Sequence, residues 1–226
     1  MLSNDISLIA LLSFVTIIPF IIAGGTCFIK FSIVLIMTRN ALGLQQIPSN
    51  LTLNGVALFL TAFVMTPVYN NIASYVETNN INFNNEQSVK LFMNNGLNSY
   101  RDYLAHYSDS GLVKFFYDIQ RKNSGDNSVN NEPMNKDEIK SLPLTTLMPA
   151  YALSEIQSAF KISFYLYVPF VVIDLVVSSV LLALGMMMMS PVTISIPIKL
   201  ILFVAMNGWT LLSKGLVSQY SDLMMI

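Results

Sequence analysis

The residues able to do chemistry in this chain of 226 residues are few and scattered. His106 is the single histidine and Cys27 the single cysteine. A catalytic or metal site needs several convergent groups, and His106 has only Tyr107, Ser108 and Asp109 beside it, so it reads as a surface residue. Cys27 lies in an apolar run and reads as a small buried hydrophobe; alone, it excludes an intramolecular disulfide and a cysteine-only metal site. The stretch GGTCFIK, residues 24–30, lacks the spacing and the Lys-Ser/Thr pair of a phosphate-cradling loop. His106 cannot be placed against any serine as a catalytic pair from sequence alone, so neither an enzyme nor a cofactor is expected. Two other features invite a physical reading. In ALGMMMMSPV, residues 183–192, Met186, Met187, Met188 and Met189 stand between Gly185 and the Ser-Pro break at Pro191; methionine is unbranched and polarizable and suits a surface that seals against something variable. In PFVVIDLVV, residues 169–177, Asp174 is a lone acid among valines, costly in an apolar helix unless it faces protein and finds a partner.

These residues must be positioned by apolar helices. Hydrophobic residues make up 54% of the chain and charged residues 11%, against about 25% charged in a soluble domain. This is a membrane-protein composition. The net charge of -1 and the absence of a Lys/Arg cluster argue against a nucleic-acid partner, which needs clustered cations to displace counterions. Residues 1–70 hold only Asp5, Lys30 and Arg39, residues 71–143 hold sixteen charges, and the rest holds Glu155, Lys161, Asp174, Lys199, Lys214 and Asp222. A polar domain therefore separates two apolar regions.

Residues 6–29 carry no charge and exceed the roughly 20 residues that cross a bilayer as a helix. Residues 51–69 form a second candidate span, with Pro48, Ser49 and Asn50 as turn and cap chemistry before it. Together they predict one helical hairpin. Residues 162–189 are interrupted by Pro169 and Asp174, and residues 200–213 are too short for a full span, so a second hairpin of broken or bent helices is expected, with Pro191 and Pro197 bracketing its connection. Broken backbone at membrane depth requires surrounding protein or a water-filled cavity, which implies neighbouring subunits. Arg39 and Lys199 flank the two connections with no compensating acid nearby in sequence, which places both turns in the cytoplasm and the polar domain outside. With no Lys or Arg before the first apolar run and no clear small-residue cleavage site, no cleaved signal peptide is expected.

The expected architecture is an all-α membrane protein in three parts: an N-terminal apolar hairpin (1–70), a polar, partly helical extracytoplasmic domain (71–148) and a C-terminal apolar hairpin (149–226). Within the polar part, Leu97, Tyr100, Leu104 and Tyr107 recur at helical spacing, and Leu112, Val113, Phe116 and Ile119 do so after an SDSG break. Residues 121–141, rich in polar and turn residues, predict a loop unable to bury a core.

Three stretches are more specific than composition. PAYALSEIQSAFKI (149–162) can place Ala150, Leu153, Ile156, Gln157 and Phe160 on one helical side and Ser154, Glu155, Ser158 and Lys161 round the other. PFVVIDLVVSSVLLALGMMMM (169–189) carries Asp174 and the methionines, and RNALGLQQIPSNLTLNGVALFLTAFVMTP (39–67) covers the first connection. The first two resemble, almost position for position, the signature segments of the FliP/SctR family of type III secretion export-gate proteins, and the third resembles that family's first hairpin. The polar domain contributes little to the resemblance. Flagellar members usually have glycine where this chain has Ser163 and a second proline where it has Ser49; together with the short length and uncleaved start, this looks more like the SpaP branch of invasion-type injectisomes.

The resemblance implies a pentameric ring in the bacterial inner membrane that joins SctS/FliQ-type, SctT/FliR-type and SctU/FlhB-type subunits into a gated conduit for unfolded substrates, its assembled core raised toward the periplasm. Successive helical positions turn by about 100°, so four consecutive methionines face every direction, and in a ring each axial one becomes a collar of thioethers, the family's methionine gasket. Gly185 and Pro191 are the expected hinges of this segment. Asp174 has two readings: an intersubunit hydrogen bond or ion pair that fixes assembly, which is preferred, and a proton-sensitive gate element. Glu155 and Lys161 are candidates for subunit contacts or for lining the inner surface, with no preference between the two. A self-contained polytopic transporter or channel would share the broken helices and the intramembrane acid, but transporters commonly carry internal repeats and none is found here. A structural membrane scaffold of the secretion base would share the hydropathy.

Overall fold

The computed structural model describes residues 2–79, 81, 86–123, 134, 136–186 and 188–224. Among them the regular structure is helical, with no strand. Helix α1 (Leu2–Gly25) ends at a Gly-Gly pair, and α2 (Phe28–Ala41) begins two residues later. Thr26 makes this break: its hydroxyl donates to the Ile22 carbonyl at 2.5 Å and accepts from the Phe28 amide at 3.3 Å. One side chain thus closes one helix and caps the next. The expected uninterrupted span over residues 6–29 is therefore two helices, because Thr26 offers the backbone an alternative to continuing the ladder.

After α2 the chain turns at Gly43, whose φ is +80°. The Leu44 amide donates to Arg39 O and the Gly43 amide to Asn40 O, the paired bonds of a Schellman stop with glycine in the left-handed position. Ser49 then caps α3 (Asn50–Thr78) by accepting from the Thr52 amide at 3.2 Å, so the cap chemistry expected at residues 48–50 is realised and the helix runs nine residues beyond the expected end.

The polar region holds α4 (Glu86–Leu91), a π-turn (Phe92–Gly96), α5 (Asn98–Tyr107), α6 (Ser110–Asn123) and α7 (Lys136–Lys140). The two periodic segments read from the sequence are α5 and α6, and the break between them is Asp109, which accepts from the Gly111 and Leu112 amides at the start of α6. Arg101 in α5 donates to the Met93 and Asn94 carbonyls at 2.9 and 3.0 Å, satisfying carbonyls that the π-turn leaves free. Of the loop expected over residues 121–141, the first three residues complete α6 and residues 136–140 form α7; residues 124–133 and 135 lie outside the described residues.

Helix α8 (Leu144–Ala183) contains 40 residues, about 60 Å at the usual rise. It joins the two signature segments into one element and passes Pro169 and Asp174 without interruption, contrary to the expected break. A proline costs a helix one hydrogen bond, and apolar helices tolerate this where neighbouring groups compensate. Helices α9 (Pro191–Ala205) and α10 (Gly208–Ser218) meet at a bend of 60°. The bend is made by Asn207, in the left-handed region at φ 51°, and by Gly208, where a Cβ would lie 2.3 Å from the Phe203 ring. Helix α11 (Ser221–Met224) follows Tyr220, a fully buried residue that packs edge-on against Phe31 at 5.7 Å with the Lys30 ammonium 4.7 Å from its ring. Helices α3 and α8 are each long and apolar enough to cross a membrane, and the broken pairs α1/α2 and α9/α10 qualify as two further candidates.

The chain forms two compact units, one from Met1–Ile29 and Met65–Glu155 and the other from Lys30–Val64 and Ile156–Ile226. The first is built round Tyr103, Leu104, Val113, Leu147 and Tyr151, the second round Phe31, Val34, Leu42, Phe203 and Leu216. Large apolar side chains remain outside: Phe59 and Phe63 on α3, and Phe164, Tyr165, Leu175 and Leu182 on α8. Apolar surface of this extent calls for lipid or protein cover.

Candidate functional site

The methionine segment is a loop, created by the way α8 stops. Gly185 has φ +73°; its amide donates to Leu182 O at 3.0 Å, and the Met186 amide reaches back to Leu181 O at 3.0 Å. This is the second Schellman stop in the chain. On the far side Pro191 is the first residue of α9, where its missing N–H costs nothing and its fixed φ suits the helix. Glycine and proline thus bound the segment at its two ends. Between them Met186 is 39%, Met188 100% and Met189 45% exposed; Met187 lies outside the described residues. Met188 is wholly outside its own chain's packing, and Met186 and Met189 are each partly so.

Asp174 and Lys199 meet across α8 and α9, with Lys199 Nζ donating to Asp174 Oδ2 at 2.6 Å and to the Ala41 carbonyl at 3.4 Å. The lysine side chain is 6% exposed and the aspartate 39%. One helical turn to either side, Phe170 and Phe203 pack at 6.3 Å within a cluster that includes Ala41 and Leu42, and Trp209 stands edge-on to Phe203 at 5.3 Å. Apolar packing and ion pair together register α9 on α8 and so fix the two anchors of the methionine loop. This corrects the sequence reading of Lys199 as a loop cation without a nearby acid: its partner is 25 residues earlier in the same chain. Arg39 is likewise buried, donating to Pro48 O at 3.0 Å, Asn50 Oδ1 at 2.7 Å and Asn40 Oδ1 at 3.2 Å. Both cations act within the fold.

Glu155 and Lys161 are not brought to this site. Glu155 is 1% exposed, one helical turn beyond Tyr151, and close enough to Tyr103 to act on its hydroxyl; Lys161 is exposed. The surroundings of Glu155 turn the sequence pattern inside out: Ser154 and Glu155 face the interior, whereas Leu153 and Phe160 are 44% and 50% exposed. Ser154 accepts from the Asp109 amide at 2.8 Å and donates to Ala150 O at 2.7 Å, so the inward polar face is satisfied. His106 is exposed, with its ring edge-on to Tyr107.

A tyrosine layer escaped the sequence reading. Tyr103 and Tyr151, both fully buried, share a hydroxyl–hydroxyl hydrogen bond, and Tyr100 and Tyr107 flank Tyr103 at ring distances of 6.2 and 5.4 Å. Burial pushes the Tyr103 hydroxyl well above its ordinary range and that of Tyr100 up to about 12. The helical spacing of α5 was visible; the partner 48 residues away was not.

The family model described as the FliP family matches residues 11–216. The chain belongs to the FliP family. Surface presentation of antigens protein SpaP of Salmonella typhimurium is 63% identical over 222 residues, 98% of this chain and 99% of that protein. Yop proteins translocation protein R of Yersinia pestis is 42% identical over 219 residues, 97% of this chain and 98% of its own. Flagellar biosynthetic protein FliP of Bacillus subtilis is 36% identical over 219 residues, 96% and 93% of the two chains. The order of these identities agrees with a position beside the SpaP branch of the FliP family. The matches also run through the polar region, to which the motif resemblance alone owed little.

Proposed function

We propose that this FliP-family chain is a core subunit of the inner-membrane export gate of a virulence-type type III secretion system, a pentameric ring that forms a gated conduit for unfolded effector and needle proteins. Family membership and the secretion and flagellar names of its relatives support the apparatus. The observation that carries the gate is the exposed methionine loop, bounded by Gly185 and Pro191, with Met188 wholly outside its own chain's packing. In a ring, five such loops converge as a collar of flexible thioethers, which closes against ions at rest and yields round diverse chains because no single fit is preferred. The Asp174–Lys199 pair holds the helix ends from which each loop springs. The uncovered apolar faces of α3 and α8 are met by lipid, by further copies, and by SctS/FliQ-type, SctT/FliR-type and SctU/FlhB-type subunits; the polar domain faces the periplasm. The protein is a conduit, not an enzyme.

The test is to replace Met186, Met187, Met188 and Met189 by alanine and compare complexes that are equally assembled. Secretion should continue while resting cells leak small solutes. Unchanged leak in a fully assembled mutant complex overturns the gate. Native mass of the gently extracted protein checks the setting: a ring of several copies with its partner subunits is expected, and a monomer or dimer free of them refutes the assignment.

A further inference from the structure

Gly24 and Gly25 are adjacent, yet their surroundings differ. A Cβ on Gly24 would meet nothing within 4 Å, whereas a Cβ on Gly25 would lie 2.2 Å from the Tyr100 hydroxyl and 3.4 Å from Met148 Cε. That hydroxyl donates to the Gly25 carbonyl at 2.9 Å, across 75 residues of sequence. The last carbonyls of a helix have no partner within it, and here a side chain of the polar region supplies one. Tyr100 is held by its stacking on Tyr103, which is itself locked to Tyr151. Two residues beyond Gly25, the chain's single cysteine, Cys27, is fully buried.

The geometry points to Tyr100 as the clasp that fixes the end of α1 on the polar domain, two residues before the buried Cys27. Helix α1 is apolar nearly throughout, and apolar surface by itself gives no preferred docking register. One hydroxyl supplies that register, and only glycine at position 25 lets it approach. Tyr100 is a positioning residue for the first apolar helix, and the tyrosine layer behind it is the reason α5 can hold the hydroxyl still. The polar domain thereby decides where the end of α1, closed by Thr26, is docked, a role independent of the export reading.

The native cysteine reports on the clasp. In membranes carrying the full-length protein, the rate of Cys27 alkylation by N-ethylmaleimide measures how often the end of α1 opens. Tyr100→Phe keeps the ring and loses the hydrogen bond, and should label about fivefold faster. Gly25→Ala should label faster still, and Gly24→Ala at the wild-type rate or more slowly. The decisive variant is the double one: removing the Tyr100 oxygen leaves the ring carbon 3.5 Å from the new Cβ, an ordinary contact, so Gly25→Ala with Tyr100→Phe should label more slowly than Gly25→Ala alone. Equal rates for Tyr100→Phe and wild type, exposure by Gly24→Ala as great as by Gly25→Ala, or purely additive effects in the double variant overturn the clasp. If Gly25→Ala does not accumulate, Tyr100→Phe decides alone. Alkylation requires no secretion, so failure of the export-gate assignment leaves the outcome unaffected.

Discussion

Replacing Asp174 by asparagine removes the charge that faces a nearly buried ammonium. Lys199 would retain the Ala41 carbonyl at 3.4 Å and a neutral amide in place of a carboxylate oxygen at 2.6 Å. Breaking a fully buried pair by removing one partner costs about 3–5 kcal/mol, and an exposed pair contributes about 1 kcal/mol or less. With the lysine side chain 6% and the aspartate 39% exposed, the pair lies between these limits, and Asp174→Asn should cost about 2–3 kcal/mol. Lys199→Met is the informative counterpart. It keeps an apolar stem for the Phe170–Phe203 cluster and strands a carboxylate that is 39% exposed as a side chain but has Oδ1 buried, so it should cost about 1–2 kcal/mol. The double variant leaves no buried charge and should be more stable than Asp174→Asn alone. Thermal unfolding of the detergent-extracted protein, run as a double-mutant cycle, measures all three. Simple additivity, or a greater loss from Lys199→Met than from Asp174→Asn, would refute the argument that the pair exists to accommodate an internal lysine. Asp174→Asn complexes that assemble fully yet do not secrete would instead assign the acid to gating.

Gly185→Ala should cost about 1–2 kcal/mol through left-handed backbone strain alone, because its new Cβ would meet nothing within 4 Å; Gly185→Asn should cost less, and a thermal melt that ranks the two in reverse would contradict the Schellman stop. In an alkaline titration followed by tyrosinate absorbance, Tyr100 and Tyr103 should ionise after the exposed tyrosines, because burial raises both and holds Tyr100 near 12. The unfolded chain releases these protons from about pH 10, so the native state keeps protons that the unfolded state has lost, and stability should fall as pH rises from about 10 through about 12. Tyr100→Phe should remove one late-titrating group, and loss of a group from the step near pH 10 instead would show that this hydroxyl is not buried.

The features legible in the residues alone were those whose physics is local. Composition required apolar helices, and a polar region between them was visible in the charge map. Helix punctuation was equally local: Ser49 acts within one turn of itself, so the start of α3 could be read from a few neighbouring residues. Tertiary structure decided the rest. The burial of Glu155, the partner of Lys199 and the contact of Tyr100 with Gly25 all depend on groups brought together across many residues. The face of α8 that turns inward was the hardest to read, because the familiar rule fails there. With lipid and other subunits available to cover Leu153 and Phe160, the chain reserves its interior for the polar groups, Ser154 and Glu155, that only its own folded contacts can satisfy.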